Sequence, residues 1–266
     1  MEQMTRYKIK LAVFFFVLFI TGCTKKDELK LPVTIHFKIE FRQPVAQWQY
    51  GQNQSISELF TVEACHIGIR GIRLEGKREA GGDVFFETDP RITQMNLILT
   101  DPMDPVSIIS FDIPQGIYDY MKCDIFLSNI PSDELIRAYN IDYEKTGIII
   151  KGKYEKVYWT DDDFDSGLNY SIPFILAIEN TEIFNISFSP LYDKGKIAIE
   201  HGKEYIALLF LDLYHVFKSI STQTIENAEV SGNGPDQVII ISGEKNKNLY
   251  ENLLFRLAQS STVIIY

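Results

Sequence analysis

Residues 33–42 read Val33-Thr-Ile-His-Phe-Lys-Ile-Glu-Phe-Arg42. Val33, Ile35, Phe37, Ile39 and Phe41 fall on one side of this stretch; Thr34, His36, Lys38, Glu40 and Arg42 fall on the other. Side chains of an extended chain alternate between two faces, so ten residues of strict alternation describe a half-buried strand. Working outward, strand-like runs recur at 62–74, 84–86, 95–99, 106–113, 118–127, 147–159, 170–178, 182–188, 196–199 and 204–212. Gly68 and Gly71 mark bulge or kink points. Gly81-Gly82 and Pro114-Gln115-Gly116 mark turns, with proline fixing φ and glycine supplying positive φ. Residues 43–56, QPVAQWQYGQNQSI, read as a glutamine-rich loop. One helical stripe appears, Leu249, Leu253, Leu254 and Leu257 within 244–259, with Ser242 as N-cap and Glu244 in the first turn. Residues 262–266 read as a last strand. Short, regular spacing of strands predicts an all-β fold, an antiparallel β-sandwich with a short C-terminal helix.

The order of motifs adds a resemblance. Ile67-Gly-Ile-Arg-Gly-Ile-Arg-Leu74 is followed by Asn96-Leu-Ile-Leu99, then Phe111-Asp-Ile-Pro-Gln-Gly-Ile-Tyr118, then Gly202-Lys-Glu-Tyr and the run Leu208 to Leu213. Over residues 60–215 this looks like a domain of unknown function found in surface lipoproteins of anaerobic Gram-negative bacteria. The resemblance implies a prealbumin-like β-sandwich. No catalytic residues come with it, and the C-terminal helix and strand lie outside its simplest pattern.

The N-terminus supplies an address. Arg6, Lys8 and Lys10 precede the apolar run Leu11 to Ile20, which is too short for a bilayer span of about 20 residues. A basic start, a short apolar core and small residues at the end read as a signal peptide. Ile20-Thr-Gly-Cys23 resembles the lipobox of bacterial lipoproteins, whose cysteine receives diacylglycerol and fatty acid. The alternative, a transmembrane anchor that contains a cysteine, suffers from the shortness of the run. The organisation expected is a signal peptide at 1–22, a lipidated tether at 23–31 and a β domain at 32–266. Lys26-Asp-Glu28 resembles the signal that routes lipoproteins to the outer face of the outer membrane; a solvated tether explains the same residues.

Composition narrows the partners. Removing residues 1–22 takes away Arg6, Lys8, Lys10 and Glu2 and moves the formal charge from −10 to −12. So acidic a chain is a poor ligand for polyanions, and nucleic acid is excluded as a partner. Aromatic residues make up 13% of the chain, enough for a sizeable core. After lipidation of Cys23 only Cys65 and Cys123 remain, each sharing parity with apolar neighbours. Two buried thiols are the simpler reading; a disulfide, permitted outside the cytoplasm, is the alternative.

Catalytic signatures are missing. The chain has no Gly-x-Ser-x-Gly elbow and no Walker loop. His36, His66, His201 and His215 form no pair spaced for zinc. A glycosidase needs no local motif, so a carboxylate pair cannot be picked from sequence. Two constellations remain. Asp161, Asp163 and Asp165 alternate as oxygen ligands for calcium do, with Asn169 nearby, although the EF-hand pattern fails at its glycine and glutamate positions; a solvated acidic loop is the plainer reading. Trp48 and Tyr50 lie among Gln43, Gln47, Gln49, Gln52, Asn53 and Gln54, and Trp159 borders the acidic stretch. Aromatic platforms with amide donors suit the apolar face and hydroxyl edge of a sugar, whereas rings at the rim of a core need no ligand. The expected function is a non-enzymatic module that recognises a glycan or a partner protein. The alternatives are a structural component of a surface appendage or outer-membrane complex and, third, a hydrolase of extracellular polymers.

Overall fold

In the computed structural model, the alternation of residues 33–42 becomes burial: Val33, Ile35, Phe37, Ile39 and Phe41 are each at most 3% exposed, while their neighbours face outward. Each such side chain contributes roughly 1.5–3 kcal/mol when taken fully out of water. The structure describes residues 31–44, 47–50, 54–89, 95–100, 104–131, 141–142, 144–160, 169–190, 195–218 and 220–266.

The chain is mostly β, and its strands join one large sheet. In chain order they are β1 (Pro32–Phe41), β2 (Gln47–Tyr50), β3 (Gln54–Arg78), β4 (Val84–Glu87), β5 (Met95–Leu99), β6 (Val106–Pro114), β7 (Gly116–Leu127), β8 (Thr146–Thr160), β9 (Asn169–Glu179), β10 (Ile183–Pro190), β11 (Ile197–Ile199) and β12 (Tyr205–Leu211). Two short helices follow, α1 (Leu213–Lys218) and α2 (Thr222–Glu226). Then come β13 (Val230–Ser231), β14 (Val238–Ile241), α3 (Lys247–Ser260) and β15 (Thr262–Ile265). The path across the sheet is β13-β14-β9-β8-β3-β7-β10-β15-β12-β1-β6, with β2, β4 and β5 also on β3 and β11 on β7.

The expectation of a purely antiparallel sheet is corrected. β1 runs parallel to β12, from Ile35 opposite Tyr205 to Phe41 opposite Leu211. β10 is parallel to β15, and β14 to β9. Parallel neighbours need long connections, and period-two alternation carries no direction, so a local pattern cannot reveal them. One signal was present. Parallel strands are commonly covered on both faces and read as unbroken apolar runs. Phe174 to Ile178 and Val238 to Ile241 are such runs, buried at every position.

Strand β3 organises the sheet. It was expected to cover 62–74 and runs from Gln54 to Arg78. Register shifts at Val62/Ala64, Ile69/Gly71 and Lys77/Arg78 let it bend without ending. Its first part pairs with β8 and its last part with β7. β10 pairs with β7 through Ile183–Ser187 and with β15 through Phe188–Pro190, so it joins the two portions of the sheet. Inward side chains from both portions meet: Ile39, Leu209 and Leu211 share one apolar space with Ile67, Ile69, Ile125 and Leu127. Nearer α1, Phe217 stacks on Phe60 at 5.0 Å and lies 5.2 Å from Phe174. A small second cluster, Ile130, Ile149, Ile175, Val238 and Ile240, covers part of the other face.

The C-terminal helix begins three residues later than expected and ends one residue later, and Leu249, Leu253 and Leu257 face the core with Tyr250. Ser242 does not cap it. Its Oγ accepts from the backbone of Glu244 and Lys245 in the preceding turn. The cap position belongs to Asn246, at φ 52°, whose side chain instead ties Glu229 and Ile240 together.

Candidate functional site

Residues 43–56 do not form one loop. Gln47–Tyr50 is a strand paired antiparallel to β3, with Trp48 opposite Ser57 and Tyr50 opposite Ser55. Polar and aromatic residues in alternation suit a strand as well as a loop, and the neighbouring edge of β3 takes up the backbone groups. On its other side β3 pairs with β8, with Ser55 opposite Trp159 and Ser57 opposite Val157. Tyr50, Ser55 and Trp159 therefore stand on one rung across three strands. Trp48, Ser57, Val157 and Asn169 stand on the rung two residues along.

Residues side by side on a rung share a face, as do residues two apart along a strand. The register thus assigns Trp48, Tyr50 and Trp159 to one face. That face continues down β8 and β9 through Glu155, Lys153, Ser171 and Pro173, of which Lys153, Ser171 and Pro173 are exposed. Lys153 pairs with the exposed Glu63 at 2.8 Å. The opposite face carries Phe60, Tyr154 and Phe174, all buried. The aromatic positions lie on the outer side of the sheet, away from the core. With neighbouring strands about 4.8 Å apart and about 3.3 Å per residue, Tyr50 is about 10 Å from Trp159 and about 7 Å from Trp48, backbone to backbone.

A buried lysine paired with an exposed glutamate braces this corner from behind. Lys156 is 5% exposed on the core side of β8, and its Nζ reaches Glu226 Oε1 of α2 at 2.5 Å. A buried cation is stable only with a partner, so α2 holds the β8 segment that carries Trp159.

The other expectations fall as follows. Cys23, Asp161, Asp163 and Asp165 lie outside the described residues. Cys65 and Cys123 are free and buried. Cys123 sits opposite Leu74 of β3, so about nine residues of strand, roughly 30 Å, separate it from Cys65, too far for a bridge. Burial pushes the Cys65 thiol up to about 12 and raises that of Cys123 as well. Among the described residues no group of three or more His, Cys, Asp or Glu side chains is placed to hold a metal ion. No described helix is long and apolar enough to cross a membrane.

Sequence reasoning missed one pair. Asp212, 7% exposed, accepts from the backbone N–H of His215 at 3.2 Å and lies 2.5 Å from His215 Nδ1. Arg256, Gln259 and Ser260 complete an open cleft of about 420 Å³ beside it. An acid three residues before a histidine, at the end of a strand, was the available signal; it is also how a helix N-terminus is capped. His36, similarly, lies 2.8 Å from Ser110 Oγ on the outer face of β1 and β6.

Comparison with protein families, with curated proteins and with solved structures finds no match to this chain.

Proposed function

We propose that this chain is a lipid-anchored surface protein whose domain, a β-sandwich closed through β10, binds a glycan at the corner formed by β2, β3 and β8. The observation that carries the reading is the shared rung of Tyr50 and Trp159, with Trp48 on the same outer face. Aromatic residues at positions about 7 and 10 Å apart, backbone to backbone, would offer more than one stacking platform to an extended carbohydrate. Ser55, Ser57 and Asn169 on the same rungs add hydroxyl and amide groups for sugar hydroxyls. The lipobox-like Ile20-Thr-Gly-Cys23 supports an anchor at Cys23, and Lys26-Asp-Glu28 supports the outer face of the outer membrane.

The test is a glycan array followed by titration of intrinsic fluorescence. Both tryptophans of the chain belong to this corner, so a bound sugar must change the signal. No binding to any glycan, or affinity unchanged in both Trp48→Ala and Trp159→Ala, would sink the reading.

A second reading has its own observation. β6 ends the order of strands and pairs only with β1 among the described residues. An open edge accepts a strand from a partner protein by backbone hydrogen bonds, as a structural component of a surface assembly would.

A further inference from the structure

The two ends of β3 meet different parts of the fold, the first β2 and β8 and the last β7. Arg78 Nη1 donates to the Gln115 carbonyl at 3.1 Å, and the Gln115 N–H donates to the Leu31 carbonyl at 2.9 Å. His201 Nδ1 is 3.1 Å from the Pro32 carbonyl. The point where the chain enters the fold is thus beside the last residue of β3. The aromatic rung is beside its second residue, Ser55, about 75 Å of strand path away at ~3.3 Å per residue, with three register shifts along that path.

A separate route gives the same sense. β1 leads away from Pro32, and just past its far end Gln43 bonds both backbone groups of Val62, at 2.5 and 3.0 Å. Ser55 lies further along β3 in the same sense. Phe60, between them, packs against Phe217 of α1, beyond the far end of β12.

Leu31 follows Cys23 by eight peptide units, which span at most about 30 Å when fully extended. A lipid on Cys23 therefore keeps the entry end near the bilayer. That end exposes Leu31 (39%) and Ile117 (45%). Around them stand His201, Lys203 paired with Glu200, and Lys196 paired with Glu79 and Asp119. Apolar side chains ringed by lysine stems and balanced charge suit a zwitterionic headgroup layer.

We infer that the domain stands on the membrane by the end that holds Leu31 and Ile117 and presents the Tyr50–Trp159 rung outward. Its ligand is then a carbohydrate of the medium or of another surface, and not a headgroup of the membrane that carries it. This inference rests on the glycan-binding and anchor readings above and specifies which carbohydrates are within reach.

The full-length lipidated protein in phosphatidylethanolamine vesicles tests it, with a nitroxide quencher on the headgroup. The native tryptophans, Trp48 and Trp159, should stay bright. In a Trp48→Phe/Trp159→Phe background, an Ile117→Trp reporter should be quenched several-fold. Native fluorescence quenched as strongly as the reporter overturns the orientation, as does an unquenched reporter on vesicle-bound protein. Failure of the wild type to float with vesicles, like Cys23→Ala, overturns the anchor and the orientation with it. The glycan reading is judged apart from all of these, by titration in solution without vesicles.

Discussion

Asp124 and Arg73 face each other across the β3–β7 ladder, with Arg73 Nε donating to Asp124 Oδ2 at 2.8 Å and Nη2 donating to the same oxygen. Asn185 of β10 donates to the other carboxylate oxygen at 2.5 Å, so one carboxylate ties three strands together. Asp124 is only 2% exposed although it lies on the outer face. Asp124→Ala leaves both donors without their acceptor and should cost roughly 1–3 kcal/mol in urea unfolding. Asp124→Asn should cost less, because it keeps an acceptor oxygen.

The aromatic stack under α1 should dominate the stability of the end that carries the corner of β2, β3 and β8. Phe217 is fully buried against Phe60 and Phe174. Phe217→Ala should lower stability by about 3–5 kcal/mol, whereas Phe217→Leu should recover much of it. Denaturant midpoints at constant slope measure both.

Gly152 is required by close approach. A Cβ there would meet the Thr61 carbonyl at 2.1 Å and the Phe174 ring at 2.8 Å. Gly152→Ala should therefore destabilise by about 1–3 kcal/mol, against the usual sign for glycine replacement in a strand. A thermal melt equal to wild type would refute the close approach.

Alkaline pH should destabilise the protein through buried acids, the thiols of Cys65 and Cys123 and the hydroxyl of Tyr118. Burial pushes the Cys65 thiol up to about 12 from its ordinary 9.0. Burial also pushes the Tyr118 hydroxyl up to about 12 from 10.0, with the nearby Arg78 charge opposing. Each of these groups, with Cys123, keeps its proton in the folded chain at a pH where the unfolded chain has released it. Stability from these groups is complete below about pH 9 and is lost as the pH climbs toward 12. Denaturant midpoints taken from pH 7 to 11 should fall; Cys65→Ala should soften the onset near pH 9, and Cys65→Ala with Cys123→Ala should soften it further. By the same token both thiols should resist a thiol reagent at pH 8 until the protein is denatured.

Much of the strand pattern was legible because burial here follows parity. β5 was expected at 95–99 and found there, and β6, β8, β9 and β12 agree within one residue at each end. The helices α1 and α2 were not legible, since six and five residues are too few to show a helical period. Neither were the parallel pairs, which depend on partners such as Ile35 and Tyr205, far apart in the chain. Of the site, the residue types at Trp48, Tyr50 and Trp159 were readable. Their common rung was not, because it exists only through the intervening Ser55 of β3, which carries no chemical signal of its own.

The place of β15 has a consequence for biogenesis. β15, the last described strand, stands between β10 and β12 in the middle of the sheet, and β1, the first described strand, stands between β12 and β6. A chain that emerged N-terminus first would deliver β1 long before β12 arrives to flank it, and β12 before β15 arrives on its other side. Until then Ile35, Phe37 and Ile39 would have no partner on one side, which predicts that the emerging polypeptide needs protection from aggregation. Ribosomal stalling or proteolysis before Thr262 would leave the two portions of the sheet without their central seam, so partial products should be degraded instead of accumulating as smaller folded domains.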